Sequence, residues 1–345
     1  MARFVLLLLG FSLSVSVCHS QNDTQLKPTI VPASSFDAST DANVLHEAMD
    51  STQKCNQTAI GSILSRRSLA QRLDVAEKYK LIFGKDLAHE LFSSTCRFRG
   101  SMHARMCKAM VTPLPTQYSN FLDLAMFCQK TIESELTEIL CGNNNAMIRD
   151  IVQAYTDEYK RSLQADLESE TSGGLERLLV LLVQANRNES SQQVDNQKVS
   201  DDVLALFNGG KVNWHDDPAR LNEVLALRSF PHVRRVFLEL SRKTGKDFKG
   251  LLEEQFSSGT KDGYVTCVRM IQEAQEYFAD VLNQTLEGFL GSGDLTIARV
   301  ALTRSEIDLG TIKEKYKQKY GRSVMDVIHE DSSGAYKDLL TAFFG

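Results

Sequence analysis

Residues Leu64 to Leu87 read LSRRSLAQRLDVAEKYKLIFGKDL, and the chain returns to this pattern three more times. With Ser68 as position zero, the partners are Asn144 (in GNNNAMIRDIVQAYTDEYKRSL), Ser229 (in ALRSFPHVRRVFLELSRKTGKDF) and Ser305 (in LTRSEIDLGTIKEKYKQKYGRSV). Seven residues on, the column reads Val75, Ile151, Val236 and Ile312. Eleven on, it reads Tyr79, Tyr155, Leu240 and Tyr316. Sixteen on, it reads Gly84, Lys160, Gly245 and Gly321. No gap is needed inside the unit. A repeat at a fixed period takes precedence over other fold signals, because each unit buries its apolar face only against its neighbours.

The pattern inside the unit is helical. Ile148, Ile151, Tyr155 and Tyr159 recur at three- and four-residue steps, which places them on one stripe of a helix. Val233, Val236 and Leu240 do the same in the third unit, and Leu309, Ile312, Tyr316 and Tyr320 in the fourth. Strand-like alternation is scarce. Each unit divides into about five helices. One precedes a loop, near Ala48, Ala125, Leu206 and Thr285, and a second ends at position zero. A short third follows, then the striped helix, and after the glycine column a loop and a fifth helix. The expected fold is all-α, with repeats at 41–113, 114–185, 199–273 and 274–345. The polar run Asn186 to Lys198 is the expected linker between units two and three, and residues 21–40 a short extended tail.

Residues 1–20 have the form of a secretory signal. Arg3 supplies the positive start, Phe4 to Val17 the apolar region, and Cys18-His19-Ser20 the small residues before cleavage. That run is too short to span about 30 Å of hydrocarbon. Secretion is therefore expected. It leaves Cys55, Cys96, Cys107, Cys128, Cys141 and Cys267 in an oxidising compartment, where an even count permits disulfides. Cys107, Cys128, Cys141 and Cys267 are read as unpaired, since buried free cysteine is common. Asn22, Asn56, Asn188 and Asn283 begin N-x-S/T sequons and are glycan acceptors where exposed. The net charge of −5 argues against nucleic acid, which needs a basic face. The enzyme fingerprints for a nucleophile elbow, P-loop, zinc protease and dinucleotide site are missing. His103 and Cys107, four apart, have a zinc-compatible spacing but no second pair, so packing is the expected role.

The motifs RRSLAQR and FGKDL in unit one, LRSFPHVRRVF in unit three, TRSEIDL in unit four, ETSG at 170–173 and DSSG at 331–334 resemble those of the annexins. The stretch from Phe36, FDASTDA, resembles the start of an annexin core, so the likeness covers about residues 36–345. It implies four repeats of five helices curved into a disc, with calcium sites on the convex face that bridge to acidic phospholipid head groups. In such a site a glycine-bearing loop after the first helix offers carbonyl oxygens, and a carboxylate from a later loop closes the cage. Calcium takes six to eight oxygens, so lipid phosphate or water completes the shell.

The carboxylate column stands twenty-six after zero and reads Ser94, Glu170, Gln255 and Asp331. The first loops of units one and two contain no glycine. Unit three has Gly209 and Gly210 followed by Trp214, with His215 where a glycine is usual. Unit four has Leu286-Glu-Gly-Phe-Leu-Gly-Ser-Gly-Asp, a glycine loop one residue longer. Unit four is thus expected to carry the main calcium site, through the carbonyls of Leu286, Gly288 and Gly291 and the carboxylate of Asp331. Glu170 is expected as a weak secondary ligand or a helix cap, and Gly210 with Gln255 as a degenerate site. The resulting function is calcium-dependent binding of an acidic phospholipid surface, weaker than with four sites. The alternative is a secreted module that uses the same scaffold to bind an extracellular protein or glycan without calcium. In unit one, Cys55 and Cys96 fall in the two loops that calcium would join, so a Cys55–Cys96 disulfide is a candidate replacement clasp. Lys54, Arg97 and Arg99 lie in those same loops, as an attraction for anionic head groups or as a solvated rim.

Overall fold

A computed structural model describes residues 25–50, 55–93, 101–127, 130–190, 193–287 and 294–345. The described residues hold nineteen helices and no strand, with a lone β-bridge between Asn208 and Lys211. Unit one contains α1 (Ala38–Ala48), α2 (Gln57–Leu64), α3 (Leu69–Phe83), α4 (Leu87–Ser93) and α5 (Met102–Met110). Unit two contains α6 (Leu114–Phe127), α7 (Glu133–Gly142), α8 (Asn145–Tyr159), α9 (Leu163–Glu170) and α10 (Gly173–Val183). Unit three runs through α11 (Asn196–Leu206), α12 (Ala219–Leu227), α13 (Phe230–Thr244), α14 (Phe248–Gln255) and the first half of α15 (Ser258–Glu287). The second half of α15, past a non-helical Glu273, opens unit four. That unit then adds α16 (Asp294–Arg304), α17 (Leu309–Tyr320), α18 (Val324–Asp331) and α19 (Gly334–Phe344).

The repeat columns have structural meanings. Position zero caps the striped helix: Ser68 forms a capping box with Gln71 on α3, and Asn144 accepts from the Met147 N–H on α8. Ser229 stands at the same place before α13. In unit four the helix starts at Leu309, and the Ser305 carbonyl instead accepts the Thr29 and Ile30 N–H groups at 2.7 and 3.0 Å. Val75, Ile151, Val236 and Ile312 are all fully buried, and so are Tyr79, Tyr155, Leu240 and Tyr316. Burying a side chain of this size is worth roughly 1.5–3 kcal/mol, so these two columns anchor the four striped helices. Gly84, Lys160, Gly245 and Gly321 all end those helices in the left-handed conformation, with φ of 68°, 56°, 70° and 75°.

The helix order differs from the sequence expectation. The striped helix is the third of each unit and starts at or just after position zero, with no short helix before it. The short helix comes after the left-handed cap. The second helix ends one to four residues before position zero, at Leu64, Gly142, Leu227 and Arg304, and in units one to three the capping serine or asparagine opens the striped helix directly. Two boundaries also move: α1 starts at Ala38, inside the expected tail, and α11 takes in Asn196 to Lys198 from the expected linker. The tail is extended but tied down. The Gly310 N–H donates to the Lys27 carbonyl at 2.7 Å, and a Cβ at Gly310 would collide with that oxygen.

Candidate functional site

The turn that carries the carboxylate column is built the same way in three units. Glu170, Gln255 and Asp331 each end a short helix. The next residue, Thr171, Phe256 or Ser332, is extended and donates its N–H back into that helix. Three residues past the column comes a left-handed residue: Gly173 at φ 68°, Ser258 at 52° and Gly334 at 64°. The N-caps of α10 and α19 are Ser172 and Ser333, so neither Glu170 nor Asp331 is the cap of the helix that follows.

Unit three shows where this turn points. The Oε1 of Gln255 accepts the Trp214 N–H at 3.1 Å, which ties the column residue to the loop after α11. Trp214 is buried, stacks on Phe248 and donates its indole N–H to the Leu206 carbonyl. Ahead of it, Gly209 and Gly210 hold φ of 60° and 80° in an exposed turn. Positive φ at two successive residues is what turns a backbone's carbonyls outward at no steric cost. As a calcium site, however, unit three fits poorly. Its closing group carries no charge, and its oxygen is already bonded inside the protein. Hard divalent cations need anionic oxygens to offset their dehydration.

The other units are less complete. Glu170 is half-buried and accepts from Ser169 Oγ at 3.4 Å. Leu286 lies in the last turn of α15 with its side chain buried, and carbonyls in a last helical turn have no partner within the helix. Gly288 and Gly291, and the Asp331 side chain, lie outside the described residues. So do Cys96, Asn22, Lys54, Arg97 and Arg99.

The cysteine and asparagine expectations divide. Cys107, Cys141 and Cys267 are all buried. Cys107 packs against the His103 ring, with Sγ 3.7 Å from Nε2. Burial alone pushes its thiol up to about 12, and burial likewise lowers His103, so the pair is inert packing. No cluster of three or more His, Cys, Asp or Glu side chains suited to a metal occurs among the described residues. Asn56 is exposed and caps α2 through Oδ1. Asn188 is exposed as well. Asn283 is a correction: it lies inside α15 with only 7% exposure, so the folded chain has no room for a sugar there. Its sequon satisfies the motif, but its place in the helix turns it into the core.

A second polar feature lies in unit three, midway along its first helix. Asp202, almost fully buried, accepts from Arg220 at 2.5 Å, Arg228 at 2.9 Å and His232 at 2.8 Å. Burial would raise its carboxyl, but hydrogen bonds from Arg228 and His232 outweigh it and hold the group below its usual value. These side chains line a cavity of about 270 Å³ together with Asn188 and Lys198. Sequence reasoning missed this cluster. The signal was there, since Asp41 and Arg67 occupy the same repeat positions as Asp202 and Arg228 and also pair, at 2.6 Å.

Four groups of five helices, left-handed caps at one fixed column and a column residue that reaches the first loop together define a helical-repeat protein with cation-type loops. The annexin family profile matches residues 40–96, 121–182 and 277–343, and the chain belongs to the annexin family. Unit three lies outside the matched segments. The chain is similar to mouse annexin A13, at 36% identity over 308 residues, covering 89% of this chain and 95% of that one. Among solved structures it is similar to annexin III, with a TM-score of 0.85 at 30% identity, covering 95% of this chain and 98% of that one. It also matches calcium-bound annexin (Sm)1, with a TM-score of 0.80 at 27% identity and 93% of both chains covered.

Proposed function

We propose that this protein binds acidic phospholipid surfaces in a calcium-dependent manner, chiefly through unit four. The observation that carries this reading is the shared turn. In unit three the column residue Gln255 closes on the first loop, and Asp331 ends its helix on the same backbone course in unit four. An acid in that place supplies the charge that Gln255 lacks. The carbonyls of Leu286, Gly288 and Gly291 with the Asp331 carboxylate would hold the ion, and lipid phosphate would complete its shell. Glu170 is the weaker secondary ligand.

In unit one the same reading replaces the ion with a covalent clasp. Cys55 and Cys96 stand in the two loops that calcium would otherwise join. A Cys55–Cys96 bond, a secreted location set by residues 1–20 and a glycan at Asn56 belong to this proposal together. Non-reducing peptide mapping of the secreted protein reads the bond and the glycan directly. Recovery of Cys55 linked to any other cysteine would sink the clasp.

The decisive experiment is vesicle sedimentation. Vesicles of phosphatidylserine and phosphatidylcholine should pellet the protein with calcium and release it with chelator. Asp331→Ala should raise the calcium needed for half-maximal pelleting by about tenfold or more, the loss of one anionic ligand from an open cage. An unchanged requirement removes unit four as the site. Binding that ignores chelator would favour the second reading, a protein or glycan partner, for which the cavity at Asp202 and the spent Gln255 oxygen are the supporting features.

A further inference from the structure

Cys141 and Cys267 are 126 positions apart in sequence, yet their sulfurs lie 2.7 Å apart in the core. Both residues have no exposure at all. Cys141 sits near the end of α7 in unit two, and Cys267 in the first half of α15 in unit three. The two helices make an extensive contact, and its register is regular. The Glu133 carboxylate occupies the space a side chain at Gly259 would need, Thr137 lies against Gly263, and Cys141 meets Cys267. All three pairs have the same separation in sequence, and each is one helical turn beyond the last. The helices therefore run parallel, and the two glycines bring their backbones close enough for the short cysteine side chains to meet.

We propose that Cys141 and Cys267 are a disulfide-forming pair that staples unit two to unit three through the parallel contact of α7 with α15. A disulfide joins sulfurs at about 2.05 Å, and the two sulfurs here, at 2.7 Å, are already closer than unbonded sulfurs normally sit. Burial opposes ionisation of Cys141, but its contact with Cys267 and the nearby Arg187 outweigh burial, so the thiol titrates below its ordinary value. The thiolate of one cysteine attacks a small disulfide such as oxidised glutathione, releasing one glutathione thiol and leaving a mixed disulfide. The second cysteine, as its thiolate, displaces the remaining glutathione. Two protons leave the protein and two electrons pass to glutathione, so the step balances. Because both sulfurs are buried, exchange proceeds during folding or through local opening. Once formed, the bond is shielded from reductant.

The test uses the full chain, folded under reducing conditions and then exposed to oxidised glutathione. Samples are alkylated in denaturant without reductant, digested and mapped by mass spectrometry. The expected result is a peptide containing Cys141 linked to one containing Cys267 in more than half of the molecules, reversed by dithiothreitol in denaturant. Closing a loop of more than 100 residues should also raise the melting midpoint by about 5 °C over the reduced protein. A Cys141→Ser, Cys267→Ser protein should show no such rise on oxidation. The proposal fails if both residues are recovered as alkylated thiols after exhaustive oxidation, or if each is found linked to glutathione or to a different cysteine. The map is read on the wild-type protein, so a poorly folding variant cannot obscure the outcome.

Discussion

At the scale of single residues, the left-handed cap of unit two is the exception to its column. Lys160 holds φ of 56° where the other three units use glycine, and its Nζ reaches back to the Asp157 carbonyl at 2.6 Å. A side chain with a Cβ pays about 1 kcal/mol or more in that region, while one surface hydrogen bond returns less. Lys160→Gly should therefore stabilise the protein by about 0.5–1 kcal/mol after the added unfolded-state freedom is deducted. Urea unfolding of the two proteins checks this through the transition midpoint, and a midpoint that falls would show that the Asp157 contact matters more than the strain. The column itself was open to sequence reading because glycine has a conformational reason to recur. Lys160 was readable only by its position among the other three. Side chains that meet through tertiary packing leave no such trace: nothing in the spacing of Cys141 and Cys267 says that their helices run in parallel register.

At the scale of elements, the striped helices were legible because Val75, Ile151, Val236 and Ile312 face inward at one helical period. Their place in the unit was not, because a serine or asparagine that caps a helix reads in sequence much like one that ends it. The joint between the first and second helices of a unit was equally hidden. In unit three it is made by Asp202 on α11, gripped by Arg220 and Arg228 at the two ends of α12 and by His232 on α13. Unit one makes it with Asp41 and Arg67, and in unit four Arg304 lies over the Phe278 ring at 4.8 Å instead. Asp202→Asn removes the buried charge that Arg220, Arg228 and His232 share, and leaves only Arg220 paired, with Glu223 at 2.7 Å. A loss of about 2–3 kcal/mol is expected at neutral pH, below the figure for a wholly buried pair because the arginines reach solvent. The folded-state carboxyl is held below its ordinary value. Its contribution is therefore complete above the unfolded value of about 3.9 and is lost as pH falls through the lower folded value. Thermal melts from pH 7 to pH 3 should show the two proteins far apart at neutral pH and converging at the acid end. A gap independent of pH would mean that the side chain acts through shape and not charge.

At the scale of the whole molecule, the repeat makes the number of membrane contacts the controlling quantity. Several weak sites on one rigid body raise the effective concentration of each other; a single charged site has no such gain. Here the column offers Ser94, Glu170, Gln255 and Asp331, and only two of the four are acids. Unit three is the informative place to restore one, because its first loop is folded, its glycines already hold positive φ and Gln255 already touches it. Gln255→Glu keeps an oxygen to accept the Trp214 N–H and adds the missing charge, so it changes the electrostatics of the turn with little change of shape. If unit-four binding is the resident contact, a second contact on the same rigid frame should lower the calcium needed for half-maximal vesicle pelleting by at least about fivefold. Gln255→Ala, which loses the Trp214 bond and adds no charge, should leave that calcium requirement unchanged while lowering the melting midpoint. A Gln255→Glu protein with the wild-type calcium requirement would place the barrier in the loop itself, at His215 where annexins carry glycine, and His215→Gly in the same background is then the change that should restore the gain. If the double variant also fails, unit three does not face the vesicle, and the turns that look alike along the chain do not act on one common surface.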